Sequence, residues 1–429
     1  MHGLLPSAVE TIDEQARRVY AQYGAQSTDL LKNIYLEALR DRAVYTAAAG
    51  VDPARAVPVA LDVGTDNEAL LNDPGYVGNR HARVRGQRYD AFIDAYVTAA
   101  TRMFPHAMLH WEDFGPSNAR RILERYTPHI PTFNDDTQGT GAIVLAAMLS
   151  AVQVSGTPMR DQRIVVFGAG TAGVGIADRL RTTMIRDGLD EEIATRRIWP
   201  VDRQGLLLDD MTGLRDFQRP YARPSAEVAG WKRDDGGIGL LEVVQRVEPT
   251  MLLGTSTVHG AFTEPIVRAM AAAVNRPVIF PISNPTSRIE AMPDDLLRWT
   301  DGRALVATGI PVDPITRDDV TYRIAQANNA LVYPGIGLGA IVSRARRISD
   351  GMLHAAAEAV GGMVDVTAPG ASLLPRVEDL REVSATVAVA VAGQATRENL
   401  ARVNLKEPVE AVRATMWQPA YRPVRARRP

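Results

Sequence analysis

The chain has 429 residues, enough for two or more domains and a sizeable core. Its 48 basic and 50 acidic residues nearly cancel, leaving a net charge of −2, which argues against a polyanion-binding protein as a whole. It has no cysteine, which excludes disulfides, thiolate metal sites and a cysteine nucleophile. Nearly all the basic charge is arginine; the only lysines are Lys32, Lys232 and Lys406, which limits the candidates for an amine base. With no signal-peptide pattern and no apolar run of about 18 residues, the expectation is a soluble, cytoplasmic chain with no membrane segment. The short basic stretch Arg422 to Arg428 reads as a solvated terminus rather than a nucleic-acid patch.

In chain order, Ala8 to Tyr23 and Thr28 to Tyr45 carry apolar residues at helical spacing. Pro58 to Gly64 reads as a strand, and Asn67 to Pro74 as a short helix stopped by proline. A basic loop, Arg80 to Arg88, precedes an amphipathic helix over Tyr89 to Phe104. Met108 to Trp111 is a strand ending at Glu112 and Asp113, and Ser117 is expected to cap a helix running to Tyr126. Thr132-Phe133 leads into Asn134-Asp-Asp-Thr-Gln-Gly-Thr140 and then a long apolar helix to about Val154.

The next stretch, Ile164 to Phe167, is β-branched and apolar, too short for a helix and suited to a buried parallel strand. Gly168, Gly170 and Gly173 follow as G-x-G-x-x-G, and a helical pattern runs from Ala172 through Arg186. In that strand–turn–helix setting Gly168 serves the tight turn, and Gly170 lets backbone approach a pyrophosphate. Gly173 lets the helix pack close to the strand. Asp202, ending Ile198 to Asp202, is the candidate ribose partner; its distance from Gly168 exceeds the usual spacing of about 20 residues. The inserted Arg186 to Arg197 segment must then hold an extra turn and helix. A loop-capping role for Asp202 stays open. Further buried-type strands are expected at 250–254, 277–282 and 304–308, with a helix starting at Thr263-Glu264-Pro265. This alternation indicates an α/β, doubly wound domain, with more helices beyond Asn329.

Two carboxylate pairs stand out, Glu112-Asp113 and Asp135-Asp136, each after a short apolar run. Adjacent residues on a flat strand face opposite ways, so both members of a pair serve one site only where the strand ends. Carboxylate oxygens gathered at one point suit a hard divalent ion, Mg²⁺ or Mn²⁺. Equally, Glu112-Asp113 is open to being a plain strand-end turn, and Asp135 or Asp136 to capping the helix from Thr137. Asn284 and Asn329 sit in Asn-containing loops, where turn chemistry and ligand contact are both open. The seven histidines show no evident site.

These motifs resemble the malic enzyme family, especially bacterial NAD-dependent malate oxidoreductases. The likeness runs through Leu61 to Pro74, Arg83 to Gln87, Trp111-Glu-Asp-Phe114, Phe133 to Thr140, and Gly168 to Gly175. Ser283-Asn-Pro-Thr286, Asn328-Asn329 and Tyr333-Pro-Gly335 continue it. The resemblance implies a Rossmann-type NAD-binding domain over 135–328 and a truncated N-terminal catalytic domain over 45–134. It also implies an N-terminal helical remnant over 1–44 and a C-terminal helical segment with a tail over 329–429. By position it implies Glu112, Asp113 and Asp136 as ligands of Mg²⁺ or Mn²⁺, Asp135 as a catalytic acid, and Asn284 and Asn329 as malate contacts. Gly168, Gly170, Gly173 and Asp202 correspond to the NAD site. Gln218 falls where NADP-using relatives tend to carry lysine, which favours NAD. The implied reaction is hydride transfer from C2 of malate to NAD, then metal-assisted loss of CO₂ to give pyruvate, in a dimer or tetramer of this chain. Neither nucleic acid nor membrane is implied as a partner.

One departure is large. The family's Tyr-Thr-Pro and Gly-Ile-Pro-x-Gly-Lys segments, which carry its catalytic acid and base, have no counterpart before Tyr45; Asp41 stands where the lysine is expected. Impaired turnover is expected, and a catalytically silent NAD- and metal-binding homologue or partner subunit is the alternative. A malolactic-type conversion is a lesser one.

Overall fold

The computed structural model describes residues 46–418, except 75, 77, 235 and 236. The helices expected over 8–23 and 28–45, and Asp41, Lys32 and the basic stretch at 422–428, lie outside the described residues. The chain divides into two compact units, one ending at Ala107 and resuming at Met416, the other spanning Met108–Thr415.

Two helices dominate the described part of the first unit. In α1 (Glu68–Asn72) the Asn67 side chain accepts from the N–H groups of Ala69 and Leu70, satisfying the helix start. Tyr89, Ile93 and Val97 recur every four residues along α2 (Gln87–Met103) and form its buried stripe. Pro58 to Gly64 does not form the expected strand. A strand needs a ladder partner, and among the described residues this segment's links are isolated: the Val84 N–H donates to the Val63 carbonyl at 2.8 Å, and the Thr65 N–H to the His81 carbonyl at 3.0 Å.

The second unit opens with a parallel pair, β1 (Leu109–Trp111) and β2 (Thr132–Asn134), bridged by α3 (Pro116–Tyr126). Ser117 is not the cap of α3. Gly115 takes that place and Pro116 the first turn, where proline's missing N–H costs nothing. One π-turn, Asp135–Gly139, leads into α4 (Thr140–Ser155), which is buried on nearly all sides. By length and composition the stretch Asp135–Ser155 would cross a membrane, but 61% of it is buried inside the protein, as in a core helix.

A seven-stranded sheet follows. It is built from β3 (Ile164–Phe167), β4 (Ile198–Asp202), β5 (Gly205–Leu206), β6 (Met251–Gly254), β7 (Val278–Pro281), β8 (Leu305–Thr308) and, after the hairpin of β9 (Ile315–Arg317) and β10 (Val320–Tyr322), β11 (Ala325–Gln326). The order is β11-β8-β7-β6-β3-β4-β5, parallel throughout except for β5. The chain builds outward from β3 to β4 and then crosses to β6 on the other side. The topological switch therefore lies at β3 and β6, where open α/β sheets bind ligands beyond the strand ends. Helices α5 (Thr171–Arg186), α6 (Glu191–Arg196), α7 (Leu240–Val247), α8 (Glu264–Ala273) and α9 (Pro293–Trp299) accompany these strands. The expected turn and helix between Arg186 and Arg197 are present, with Gly188 at φ +95° and α6 behind it.

Strand alternation sorts the core into two layers. Val165, Leu252, Ile279 and Val306 join one cluster, with α7 and α8. Ile164, Val166, Met251, Leu253, Val278, Phe280 and Leu305 join the other, with α4, α5 and the helices α10 (Tyr333–Ser343), α11 (Asp350–Gly361) and α12 (Leu380–Arg397). Last comes α13 (Pro408–Thr415).

The three glycines after β3 divide as their positions require. Gly168 has φ +100°, and a Cβ there would stand 2.5 Å from the Ser256 nitrogen. Gly173 packs its helix onto the turn, since a Cβ would stand 2.2 Å from the Gly168 carbonyl oxygen. Gly170 faces open space, with φ −75°. Gly173→Ala is therefore expected to destabilise the fold by ~1–3 kcal/mol, whereas Gly170→Ala should stay within about 0.5 kcal/mol of the unaltered chain. Urea denaturation of both variants checks this contrast, and equal stability would contradict it.

Candidate active site

The acidic pairs converge because β1 stops where it does. Leu109 and Trp111 face the core while His110 and Glu112, two apart, share the opposite side. After Glu112 the chain turns sharply: Asp113 takes a left-handed φ of +59°, a conformation aspartate tolerates better than most residues. That turn swings Asp113 towards its neighbour's site, and its N–H donates to Asp136 Oδ2 at 3.0 Å.

At the end of β2, the Asn134 side chain accepts from the Thr137 N–H at 2.8 Å, so Asn134 is the helix cap. Neither Asp135 nor Asp136 has that role, which settles the capping alternative. Gln138 Oε1 accepts from the Asn134 N–H at 3.0 Å and closes the turn. Ligand atoms of Glu112, Asp113 and Asp136 all lie within 4.8 Å of one another, and a second group of equal tightness joins His110, Glu112 and Asp135.

Charge and burial perturb this cluster strongly. Asp136 is pushed up to about 6 by burial and by the charges of Glu112 and Asp113. Burial pushes the Asp135 carboxyl up to about 7; His110 draws it down and Glu112 adds to the push. Asp135 is only 4% exposed, and its Oδ1 is buried without a hydrogen-bond partner. It sits over Gly139, where a Cβ would come within 1.9 Å of Oδ1. Asn329 caps the site from the far side of the sequence: its Nδ2 donates to Thr140 Oγ1 at 3.2 Å and to the Asp135 carbonyl at 3.4 Å.

An all-oxygen donor set with closely spaced carboxylates and an unsatisfied buried oxygen fits a hard divalent cation, and Glu112, Asp113 and Asp136 are the residues that would hold it. His110 was not singled out by sequence reasoning. Its Nε2 lies 3.3 Å from Glu112 Oε2, and its ring meets Phe133 and Tyr333 edge-on, each at 5.3 Å. The i, i+2 relation to Glu112 on a strand was the available signal.

At the sheet's switch point, α5 begins at Gly170 with free N–H groups and the positive end of its dipole directed at the glycine turn. Asp202 ends β4, next to β3. Its Oδ1 accepts from the Arg203 N–H at 3.0 Å, so the loop-capping role is present as well. Gln218 is buried behind the turn. Its Nε2 donates to the Ala169 carbonyl at 2.7 Å and to Asp202 Oδ2 at 3.2 Å, and its Oε1 accepts from the Arg215 N–H at 3.0 Å. It thereby ties the glycine turn to the acidic residue. Asn284 stands exposed beyond β7 and makes no hydrogen bond to the acidic cluster among the described residues.

Comparison with known proteins matches this arrangement along nearly the whole chain. The family profile "Malic enzyme, N-terminal domain" matches residues 40–127, and "Malic enzyme, NAD binding domain" matches residues 137–396. The NAD-dependent malic enzyme 3 of Bacillus subtilis is 48% identical over 523 aligned positions, covering 99% of this chain and 92% of that protein. Because the chain has 429 residues, at least 94 of those positions (523 less 429) hold no residue of it. The malolactic enzyme of Lactiplantibacillus plantarum is 47% identical over 381 positions, 89% of this chain and 69% of that protein. The crystal structure of the Entamoeba histolytica malic enzyme superposes with a TM-score of 0.65 at 23% identity, over 88% of this chain and 68% of that one, a likeness of fold. With both domain profiles matched and nearly half its positions shared with a bacterial relative, the chain belongs to the malic enzyme family.

Proposed function

We propose that this chain binds NAD, malate and a divalent cation and oxidatively decarboxylates malate to pyruvate and CO₂, at a rate depressed by the absence of the family's acid and base segments. The observation that carries it is the convergence of Glu112, Asp113 and Asp136 beside the buried Asp135. When bound, NAD accepts the hydride and the cation, Mg²⁺ or Mn²⁺, draws electron density from the substrate's oxygens.

The chain's own residues do the rest. Gly170, beside the turn made by Gly168 and the close packing at Gly173, admits the pyrophosphate, and Asp202 accepts from the ribose hydroxyls. Gln218 holds the glycine turn and Asp202 in register. Asn284 and Asn329 orient the dicarboxylate, and Asp135, raised to about 7, is poised to hold or release a proton near neutral pH. Neither described lysine belongs to this group: Lys232 pairs with Asp234 at 3.5 Å, and Lys406 is exposed. Losing an acid and a base costs roughly 10²–10⁴-fold each. The unmatched positions of the Bacillus alignment favour, as second reading, a silent NAD- and metal-binding subunit. Family likeness is also the support for a homo-oligomer, dimer or tetramer, and a cytoplasmic location rests on the sequence expectation alone.

Purified chain supplied with malate, NAD and Mn²⁺ is expected to form NADH and pyruvate slowly. Pyruvate absent while NADH still binds would replace this function with the silent one. Cation binding should also depend on pH. Asp136 takes up a proton below about 6, and a protonated carboxyl is a poor ligand. Mn²⁺ affinity, followed by the electron spin resonance of free Mn²⁺, should therefore rise ~4-fold from pH 5.5 to pH 8. A flat profile over that range would contradict the assignment.

A further inference from the structure

One buried acid has no part in the chemistry above. Glu290 lies between the turn Thr286–Arg288 and α9, and it is 0% exposed. Its Oε1 accepts three hydrogen bonds: from the Ser256 N–H and Ser256 Oγ, each at 2.8 Å, and from Ser283 Oγ at 2.6 Å. Its Oε2 accepts from the Ser283 N–H at 3.3 Å. Every one of these donors belongs to one of two loops, that after β6 or that after β7. Gly254, the last residue of β6, leaves the room, for a Cβ there would stand 2.6 Å from Glu290 Cδ.

Ser283 extends the network. Its Oγ accepts from the Thr257 N–H at 2.9 Å, and Thr257 holds a left-handed φ of +58°. For a β-branched residue that conformation is strained, and such strain persists where surrounding bonds over-determine it. An acceptor-only carboxylate, whose charge strengthens each bond, suits the task of gathering donors from two loops.

Both loops border the proposed ligands. Thr255 Oγ1 donates to the Gly168 carbonyl at 2.8 Å, and Ser256 leaves no space for a side chain on Gly168. The other loop carries Asn284 next to Ser283. We infer that Glu290 is a positioning residue that couples the loop backing the glycine turn to the loop carrying Asn284, so that dinucleotide and dicarboxylate binding reinforce each other. The coupling depends on the cofactor and substrate placement proposed above, and it is reciprocal by linkage.

The test uses the full chain with Mn²⁺ and titrates NADH by its fluorescence with and without malate, a pair that cannot react. In the unaltered chain malate is expected to tighten NADH binding at least ~5-fold. Glu290→Gln, which keeps the shape and removes the charge, should bring that ratio to within about two-fold of unity while Tm is preserved. Ser283→Ala, which deletes the hydroxyl shared by Thr257 and Glu290, should do the same, and it decides the matter if Glu290→Gln does not fold. A ratio unchanged in the folded variants overturns the coupling, as does NADH binding that malate never affects. Failure of the unaltered chain to bind NADH at all overturns the dinucleotide assignment first, and the coupling with it.

Discussion

Three carboxylates held within 4.8 Å of one another are the constraint around which the second unit is arranged. Two unit charges about 4 Å apart repel by roughly 4 kcal/mol at an effective dielectric of 20, so the fold must hold this group together against its own charge. Among the described residues, backbone groups do much of this, with His110 beside Glu112. The left-handed turn at Asp113 aims its N–H at Asp136, and the Asn134 cap leaves Asp136 free to face back. Burial then raises the two aspartates after β2, so the cluster carries less charge near neutral pH than four free carboxylates would.

The dinucleotide half of this design was legible in the sequence. A β-branched run, three glycines at fixed spacing and a helical pattern are each local signals, and the structure gives Gly168, Gly170 and Gly173 the separate duties that their spacing suggests. The extra turn and helix before Asp202 followed from the same local logic. What local reasoning missed depended on distant partners. Pro58 to Gly64 has strand composition but, among the described residues, no ladder to join. His110 became visible only once β1 set it on Glu112's side. Glu290 looks like an ordinary polar loop residue until four hydrogen bonds from two other loops converge on it. Ser117 lost the capping position to Gly115 because Pro116 suits the first helical turn.

Under the proposed function, binding and turnover are separable in this molecule. The residues proposed to hold a dinucleotide and a cation lie within Met108–Thr415, one compact unit. The sequence shows no counterpart of the segments in which the resemblance places the family's acid and base, and at least 94 aligned positions of a bacterial relative find no residue here. A site with its ligand-holding residues in place and its proton carriers missing is expected to bind well and react poorly.

The most direct measurement is Mn²⁺ binding to the unaltered chain and to Asp136→Ala at pH 8, beside an NADH titration of both. Removing Asp136 deletes one carboxylate of the cluster and leaves the glycine turn untouched. Mn²⁺ affinity should fall at least ~10-fold while NADH affinity holds. Equal Mn²⁺ binding by the two proteins would contradict the assignment of Glu112, Asp113 and Asp136 as the cation site.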